Sequence, residues 1–248
     1  MRRWLRQSQQ ICSMSINELN QLNQAFYRIT AEAFDATRGN AWPGWEKLLP
    51  YLPIPLRVLD VGCGNGRFAR FLAESLTGEM SYHGVDSNPT LLDKARAALQ
   101  DMPQISVKLE QRDMIQQPIE DGAYNLIAIF GVLHHIPGKD YRQKFVNNLA
   151  QYVTPGGILV FSCWRFYEYP RFRDRIAPWP DNLQREQHDY LLDWRQGKNA
   201  LRYCHYINDA EHQELVDATG LTQVLTYRAD GKSGDMNRYS VLRRFADS

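Results

Sequence analysis

The stretch that decides the fold is RVLDVGCGNG, residues 57–66. A short apolar run ends in the acid Asp60 and leads into a glycine cluster. The three glycines stand on alternate positions, Gly62, Gly64 and Gly66. Residues 67–72 then repeat apolar side chains at helical spacing, so the glycines are predicted to form a turn between a buried strand and a helix. Because glycine lets backbone approach a ligand and a helix N-terminus offers free N–H groups, this turn is a candidate ligand site.

Two residues argue against a dinucleotide at this turn. The dinucleotide fingerprint has a third glycine for close helix–strand packing, and this chain has Arg67 there. Asp60 would repel a pyrophosphate, whereas it suits a ligand that carries an ammonium group. Gly-x-Gly-x-Gly after an acid-ended strand resembles the first motif of class I S-adenosylmethionine (SAM) methyltransferases. The remaining alternative is a tight turn without a ligand.

Length and composition predict one α/β domain with a modest addition. The chain has 248 residues, 44% of them hydrophobic, and a net charge of +1, so a nucleic-acid partner would have to meet a local basic patch. The four cysteines show no metal-ligand spacing, which predicts no metal site and suits a reducing cytoplasm. No apolar run is long enough for a bilayer, so no membrane partner is expected.

Changes in pattern along the chain predict its organisation. Residues 1–14 lack a continuous apolar core and are interpreted as a disordered leader rather than a signal peptide. Residues 15–55 carry an amphipathic helix and a short second helix. The SAM-binding core is assigned to residues 56–164 and 201–248, and residues 165–200 to an insertion that caps the acceptor site.

Alternating strands and helices predict the fold class. Five rounds of strand and helix are followed by two strands at residues 221–228 and 237–243. They predict a doubly wound, mostly parallel, seven-stranded Rossmann-like α/β sheet, with an N-terminal lid helix and a helical insertion after strand 5. Ligands of such sheets bind beyond the carboxyl ends of the strands.

Two more acids follow predicted strands. Asp86 ends the second strand, 24 residues after Gly62, where an acid can accept hydrogen bonds from both ribose hydroxyls. Asp113 follows the third strand and is expected to accept from the adenine amino group, while Met114 packs on the ring. The alternatives are a helix cap for Asp86, a task for which Asn88 competes, and an ordinary loop acid for Asp113.

The fourth strand leads into a histidine pair. Residues 123–130 are almost continuously apolar, which predicts a strand buried on both faces. The following Leu-His-His-Ile-Pro sequence resembles a tail that many class I methyltransferases carry, although they have an acid where this chain has Asn125. His135 or His134 is a candidate general base, and the alternative is a histidine that caps or edges the sheet.

The resemblance implies a set of cofactor contacts. In these enzymes the N-terminal helix and its loop fold over SAM as a lid, and an arginine at position 38 would pair with the cofactor's carboxylate or lie on solvated surface. The expected SAM-binding residues are Tyr27, Arg38, Trp42, Asp60, Gly62, Cys63, Gly64, Asn65, Gly66, Asp86, Ser87, Asp113, Met114, Phe130 and Gly131.

Several short motifs resemble a narrower family, the methyltransferases that esterify carboxymethyl-uridine at the tRNA wobble position. The motifs are the glycine turn, Thr37-Arg38 with Trp42-Pro43, Cys163-Trp164, and Arg202-Tyr203-Cys204-His205. That family usually has a second tyrosine where Cys204 stands, and the long basic insertion of some eukaryotic members is absent. The resemblance runs from about residue 27 to the end. It implies SAM as methyl donor, S-adenosyl-L-homocysteine as product, tRNA as partner and, in eukaryotic members, a small zinc-binding activator.

The chemistry of methyl transfer suggests the acceptor residues. The reaction is an in-line displacement, so the protein must align nucleophile, methyl and sulfur and exclude water. A carboxylate acceptor is ionised and needs orientation, which Arg202 and His205 are expected to provide; an alcohol or amine would need a base such as His135. Three functions stay open: a tRNA methyltransferase, a methyltransferase for a small metabolite, and a SAM-binding protein without catalysis.

The insertion has an unusual composition. Aromatic residues and arginines alternate between residues 165 and 175, which suits base stacking and phosphate contact. The alternative is a solvated amphipathic helix over the site, because residues 165–202 hold eight basic and six acidic side chains.

Overall fold

The computed structural model describes residues 2–37, 39–195 and 200–246, with side chains from residue 16 onward. Its strands are β1 Leu56–Val61, β2 Met80–Asp86, β3 Ile105–Gln111, β4 Tyr124–Phe130, β5 Val153–Trp164, β6 Ile176–Ala177, β7 Asp189–Asp193, β8 Leu201–His205, β9 Thr222–Ala229 and β10 Asn237–Arg243. Its α-helices are α1 Arg2–Ala36, α2 Arg67–Ser75, α3 Pro89–Leu99, α4 Lys139–Ala150, α5 Pro170–Arg173 and α6 Asp209–Ala218. Short 3-10 helices cover Pro43–Tyr51, Leu133–His135 and Phe166–Glu168.

Seven strands form the main sheet in the order β3-β2-β1-β4-β5-β10-β9. The first five are parallel to one another, and β10 runs antiparallel between β5 and β9. The predicted fold class is therefore confirmed. The apolar strand β4 lies at the centre between β1 and β5, as its continuous hydrophobic run requires.

Both faces of the sheet are covered, because neighbouring side chains of β1 enter different cores. Val58 packs with Trp45, which precedes the sheet, and with Phe68 of α2. Leu59 joins the opposite core, which includes Phe145 of α4. Full burial of one such side chain stabilises the fold by about 1.5–3 kcal/mol, so these two layers fix the strand ends that carry the acids.

Helix α1 begins at Arg2, and so covers most of the segment expected to be a disordered leader. Its described apolar side chains pack mainly on the insertion: Leu19 contacts the cluster of Leu191 and Tyr203, and Phe26 packs with Trp194. Two asparagines on the same buried side, Asn20 and Asn23, belong to the hydrogen bonds described below. The helix therefore lies over the site and joins the insertion to it.

The insertion is largely a second sheet rather than the expected helix. Its only helices in the described ranges are the four-residue α5 and the 3-10 turn before it, whereas β6, β7 and β8 form a three-stranded antiparallel sheet. Residues 201–205, assigned above to the core, pair with β7 and belong to this sheet. Within the described ranges, none of the helices combines the length and apolar character of a membrane span.

Candidate active site

A cavity of about 580 Å³ lies beyond the carboxyl ends of β1, β2 and β4, between the sheet, α1 and the insertion. Most of the predicted site residues line it: Tyr27, Trp42, Asp60, Gly62, Cys63, Gly64, Asn65, Asp86, Ser87, Asp113, Met114, Phe130, Gly131, His135 and Arg202. Gly66 and His205 do not line it. Arg38 lies outside the described residues.

The turn after β1 favours glycine at all three positions, because each of them has a positive φ. Gly62 has a φ of +73°, and a Cβ there would lie 2.4 Å from Cγ2 of Val132. Gly66 caps α2 with a φ of +75° and shapes the turn, although it does not line the cavity. Gly64, between them, has a φ of +54° and no atom within 4 Å of a Cβ, so the turn leaves room above its backbone for a ligand.

Asp86 holds this turn in place. Its Oδ2 accepts a hydrogen bond from the Gly64 N–H at 2.9 Å, and its Oδ1 accepts from the Asn88 N–H at 2.8 Å. Asn88 is the cap of α3, because its own Oδ1 accepts from the Leu91 N–H. The competition for the cap is thus resolved in favour of Asn88, and Asp86 faces the cavity. Burial raises the pKa of Asp86, and the N–H groups of Asn88 and Gly64 oppose that rise.

Asp60 is a buried acid with an unusual titration range. Only 2% of it is exposed, and it accepts a hydrogen bond from the Tyr82 hydroxyl at 2.5 Å. Burial raises the pKa of Asp60 to about 7, although the Tyr82 hydrogen bond lowers it. A cationic ligand in the cavity would therefore favour the ionised form of this carboxyl group.

Asp113 is hydrogen-bonded to α1, a contact that the sequence did not reveal. Its Oδ2 accepts from Nδ2 of Asn20 at 2.7 Å and from Nε2 of Gln24 at 2.8 Å. At the other end of the same helix, Nδ2 of Asn65 donates to Asp35 at 2.8 Å. The sequence signal that could have revealed this contact is the spacing of Asn20 and Gln24. These two amides lie one helical turn apart beside the apolar face of α1, where they can reach a buried partner.

His135 has both ring nitrogens engaged. Nδ1 lies 2.9 Å from the Tyr203 carbonyl oxygen, so it carries the proton, and Nε2 accepts from the Tyr27 hydroxyl at 2.8 Å. Burial lowers the pKa of His135 to about 3, and the charge of Arg202 adds to that effect. The Nε2 lone pair of His135 is therefore already used by the Tyr27 hydroxyl. The neighbouring His134 also lines the cavity, and its buried Nδ1 has no hydrogen-bond partner among the described residues.

His205 is placed differently from the prediction. It is 2% exposed, with Nδ1 2.7 Å from Asp189 and Nε2 2.7 Å from Glu211. Burial lowers the pKa of His205, but the hydrogen bonds that its ring donates to the two carboxylates outweigh that effect and raise it. His205 therefore joins β7, β8 and α6 inside the protein, and the prediction that it contacts the acceptor is wrong.

Arg202 faces the cavity from a wall of aromatic rings. Its guanidinium carbon lies 4.8 Å from the Trp164 ring centroid, 5.2 Å from that of Phe26 and 6.0 Å from that of Trp194. Among the described residues, no carboxylate pairs with this cation. The donors of Arg202 are thus held in a fixed position at the cavity and left for a ligand.

Known proteins share this architecture. Residues 58–157 match the family model of a methyltransferase domain. Among the solved structures, a SAM-dependent methyltransferase of Methanosarcina mazei aligns with a TM-score of 0.63 at 17% identity, over 84% of this chain and 100% of the other. SAM-bound CalS10 of Micromonospora echinaspora, an amino pentose methyltransferase, has a TM-score of 0.57 at 19% identity, over 86% and 95%. Residues 58–157 therefore match a methyltransferase domain in sequence, and the sheet that they help to form has the fold of SAM-dependent methyltransferases.

Sequence relatives of the methyltransferase domain differ in their acceptors. The chain is 30% identical over 129 residues to the chloroplastic tocopherol O-methyltransferase of Arabidopsis thaliana, covering 51% of this chain and 35% of the relative. It is 27% identical over 142 residues to the tRNA (carboxymethyluridine(34)-5-O)-methyltransferase of the same organism, covering 56% of this chain and 31% of the relative. The chain thus spans about a third of the length of these two relatives.

SAM, the cofactor of this class, suits the cavity of the methyltransferase domain. The open space above Gly64 accepts a ligand close to backbone, and Asp60 offers a carboxyl group that a cation can ionise. The apolar side chains Met114 and Phe130 line the same cavity and supply flat surface for a base. Charge, shape and apolar surface all fit a sulfonium nucleoside that carries an amino acid.

Among the described residues, two clusters of side chains could ligate a metal ion, and most of their ligating atoms already make protein contacts. Ligating atoms of His134, His135 and Cys204, and those of Glu186, Asp189 and His205, lie within 4.8 Å of one another in each cluster. The ring nitrogens of His135 and of His205 make the hydrogen bonds described above. Burial raises the pKa of Cys204 to about 12, which keeps its thiol protonated. Glu186, Asp189 and His205 are thus occupied by protein contacts, whereas Nδ1 of His134 has no hydrogen-bond partner among the described residues.

Proposed function

We propose that this protein uses SAM to esterify a carboxylate, and that the acceptor is the carboxymethyl group of a wobble uridine in tRNA. The observation that carries the proposal is Arg202, a cation fixed by three aromatic rings at the cavity without a carboxylate partner in the described part of the chain. A planar guanidinium matches a carboxylate with two parallel hydrogen bonds.

The cofactor is assigned to the side of the cavity nearest the glycine turn. Asp60 is expected to attract its ammonium group, Asp86 to accept from its ribose hydroxyls, and Met114 to pack on its adenine. Asp113 uses Oδ2 for the lid and Oδ1 for the Ile115 N–H, so its contact with the adenine amino group would have to use a remaining lone pair. When bound, SAM supplies an electrophilic methyl group.

The protein's own contribution to the transfer is alignment and exclusion of water. Arg202 would hold the acceptor carboxylate in line with the methyl group, while Trp164 and Trp194, which line the cavity beside it, keep that end apolar. His135 cannot accept a proton from an acceptor while its Nε2 accepts from Tyr27. An acceptor that needs no base, such as a carboxylate, therefore suits this site better than an alcohol or amine.

A small-molecule acceptor is the second candidate. The net charge of +1 provides no general attraction to RNA, and a cavity of about 580 Å³ could hold a metabolite together with the cofactor. One of the sequence relatives is a tocopherol O-methyltransferase. The tRNA candidate is supported by a relative that is named for carboxymethyluridine and by the Arg202 geometry.

The test is methyl transfer from labelled SAM to separate tRNA and small-molecule extracts. We expect label in tRNA that mild alkali releases as methanol, because esters hydrolyse and N-methyl or C-methyl groups do not. The same reaction with the Asp86→Ala variant controls for contaminating activity. Alkali-stable label would contradict ester formation, label confined to metabolites would favour the second candidate, and no label in either extract would leave a SAM-binding protein without catalysis.

A further inference from the structure

The insertion has nearly equal numbers of basic and acidic side chains, but most of its acids form ion pairs, so several of its arginines have no carboxylate partner among the described residues. Four of its acids are engaged: Glu168 with Arg165 and Arg228, Glu186 with Arg142, Asp189 with His205, and Asp193 with Arg195. Two others, Asp174 and Asp181, form no ion pair in the described part of the chain. Two of the engaged acids, Glu168 and Glu186, thus use their charge on arginines outside the insertion.

Five arginines of the same segment have no carboxylate partner among the described residues: Arg171, Arg173, Arg175, Arg185 and Arg202. Three of them, Arg171, Arg175 and Arg202, line the cavity. Arg173 and Arg185 are exposed and lie outside its lining. Five unpaired cations against two unpaired acids make this face positive, although the whole protein has a net charge of only +1.

Two arginines flank a stacked pair of tyrosines. The rings of Tyr167 and Tyr190 stack with centroids 4.8 Å apart and planes at 22°. The guanidinium of Arg173 lies 5.9 Å from the Tyr167 ring, and that of Arg185 lies 5.5 Å from the Tyr190 ring. Tyr167 is 36% exposed, whereas Tyr190 is half-buried and packs against the cluster that contains Phe166, so the pair presents Tyr167 at the surface. Rings beside arginines are the usual means of binding a single nucleic-acid strand.

The positive surface is continuous with the acceptor site. Arg202 lies on Trp164, and Trp164 packs edge-on against Phe172 with centroids 4.8 Å apart. Phe172 in turn lies 4.8 Å from the guanidinium of Arg171 and 6.0 Å from that of Arg175. Cations therefore extend along the cavity lining from Arg202 to Arg171 and Arg175, and α5 also carries Arg173, which lies outside the lining.

We propose that Arg171, Arg173, Arg175 and Arg185, with Tyr167 and Tyr190, form an arginine surface that binds the backbone of an RNA single strand whose target nucleotide enters the cavity. The proposal rests on the proposed function. A metabolite could reach the three arginines of the cavity, but not Arg173 and Arg185 outside it. A strand that continues beyond its flipped-out nucleotide would reach all of them.

The test compares binding of two anticodon stem-loops, with and without carboxymethyl-uridine, to the full chain loaded with S-adenosylhomocysteine. Affinity is measured by fluorescence anisotropy over a series of KCl concentrations. For the double variant Arg173→Gln/Arg185→Gln we expect about tenfold weaker binding and a loss of about 1.4 from the slope of log K against log salt, about 0.7 for each phosphate contact. Both RNAs should be affected equally, and cofactor affinity should not change.

Matched variants separate charge from folding. Arg57→Gln/Arg96→Gln removes two exposed arginines that do not line the cavity and should leave the salt slope unchanged. Arg173→Lys/Arg185→Lys should restore most of the slope, because it keeps the charges. The proposal that this surface binds RNA would be contradicted if the glutamine variant kept the RNA affinity of the wild type. It would also be contradicted if the wild type bound polyglutamate or anionic vesicles as tightly as RNA.

The two proposals fail separately. If arginine-dependent RNA binding is found but no carboxymethyl group is ever esterified, the proposed function falls and the RNA surface stands. If the glutamine variant esterifies tRNA with an unchanged KM, the function stands and the surface falls.

Discussion

The two ends of the cavity are formed by different kinds of chemical group. At the cofactor end, main-chain N–H groups and three carboxyl groups at the strand tips define the space, and Asp86 itself holds the glycine turn. At the end proposed to bind the acceptor, called the acceptor end below, Arg202 and the aromatic rings around it come from α1, β5, the second sheet and the segment that follows β7. The first end depends on backbone geometry, whereas the second depends on side chains. Substitutions should therefore separate cofactor binding from acceptor specificity.

The largest effect is expected from Arg202→Ala. Without the guanidinium, the aromatic wall of Trp164, Phe26 and Trp194 holds no cation that orients a carboxylate, so kcat/KM for the acceptor should fall about 1,000-fold. SAM affinity measured by calorimetry should stay within about threefold, since the cofactor end is unchanged. Arg195→Ala is the control, because that exposed arginine pairs with Asp193. Collapse of SAM binding in Arg202→Ala would erase the distinction between the two ends.

His205→Gln should affect stability rather than either ligand. The variant removes a buried partner of Asp189 and Glu211, which should cost about 3 kcal/mol of unfolding free energy. Because the folded-state pKa of His205 is raised, its contribution is complete below about pH 6.5 and is lost as the pH rises through that folded pKa. Urea unfolding at pH 6 and pH 8.5 should therefore show a larger loss at pH 6. A KM change for the acceptor without loss of stability would return His205 to the active site.

Asp86→Ala tests the cofactor end. The substitution frees the N–H groups of Gly64 and Asn88 and removes the proposed ribose contact, so SAM should bind about 30-fold more weakly. Asp93→Ala, an exposed acid on α3, should bind SAM normally. Wild-type SAM affinity in Asp86→Ala would show that the turn neither needs this carboxylate nor presents it to the cofactor.

The smallest expected effect is the pH dependence of SAM binding. With a pKa of about 7 raised by burial, Asp60 is mostly protonated at pH 6 and mostly ionised at pH 8. If it attracts the ammonium group, SAM affinity should rise about tenfold from pH 6 to pH 8. In Asp60→Asn this dependence should disappear. Calorimetry that shows the same profile in both proteins would remove Asp60 from the ammonium contact.

The difference between the two ends also explains what the sequence could predict. The glycine turn, Asp60, Asp86 and Asp113 are local signals, because a strand followed by a turn places its last residues at a known edge of a parallel sheet. The doubly wound, mostly parallel, seven-stranded sheet follows from the same alternation, and the structure confirms it. Arg202 was predicted from a motif resemblance, and the structure places it at the cavity.

The errors lie where the chain makes long-range contacts. His205 looked available beside Arg202, but successive residues of a strand point to opposite sides and it meets Asp189 and Glu211 instead. The insertion was expected to be helical, because the spacing of its charged residues resembles that of a solvated helix. Its strands instead pair with residues that are distant in the chain, and such pairing leaves no local sequence pattern. The unpaired charge on its surface is likewise invisible in composition, since the acids that balance it find partners elsewhere.

Helix α1 touches both ends at once. Asn20 and Gln24 donate to Asp113 at the cofactor end, while Asn23 accepts from the Tyr203 N–H and donates to the His135 carbonyl at the acceptor end. These three amide side chains lie within five residues of one another on the same helix. A movement of α1 that breaks the hydrogen bonds at one end would therefore also disturb those at the other, and would couple release of the cofactor to release of the product.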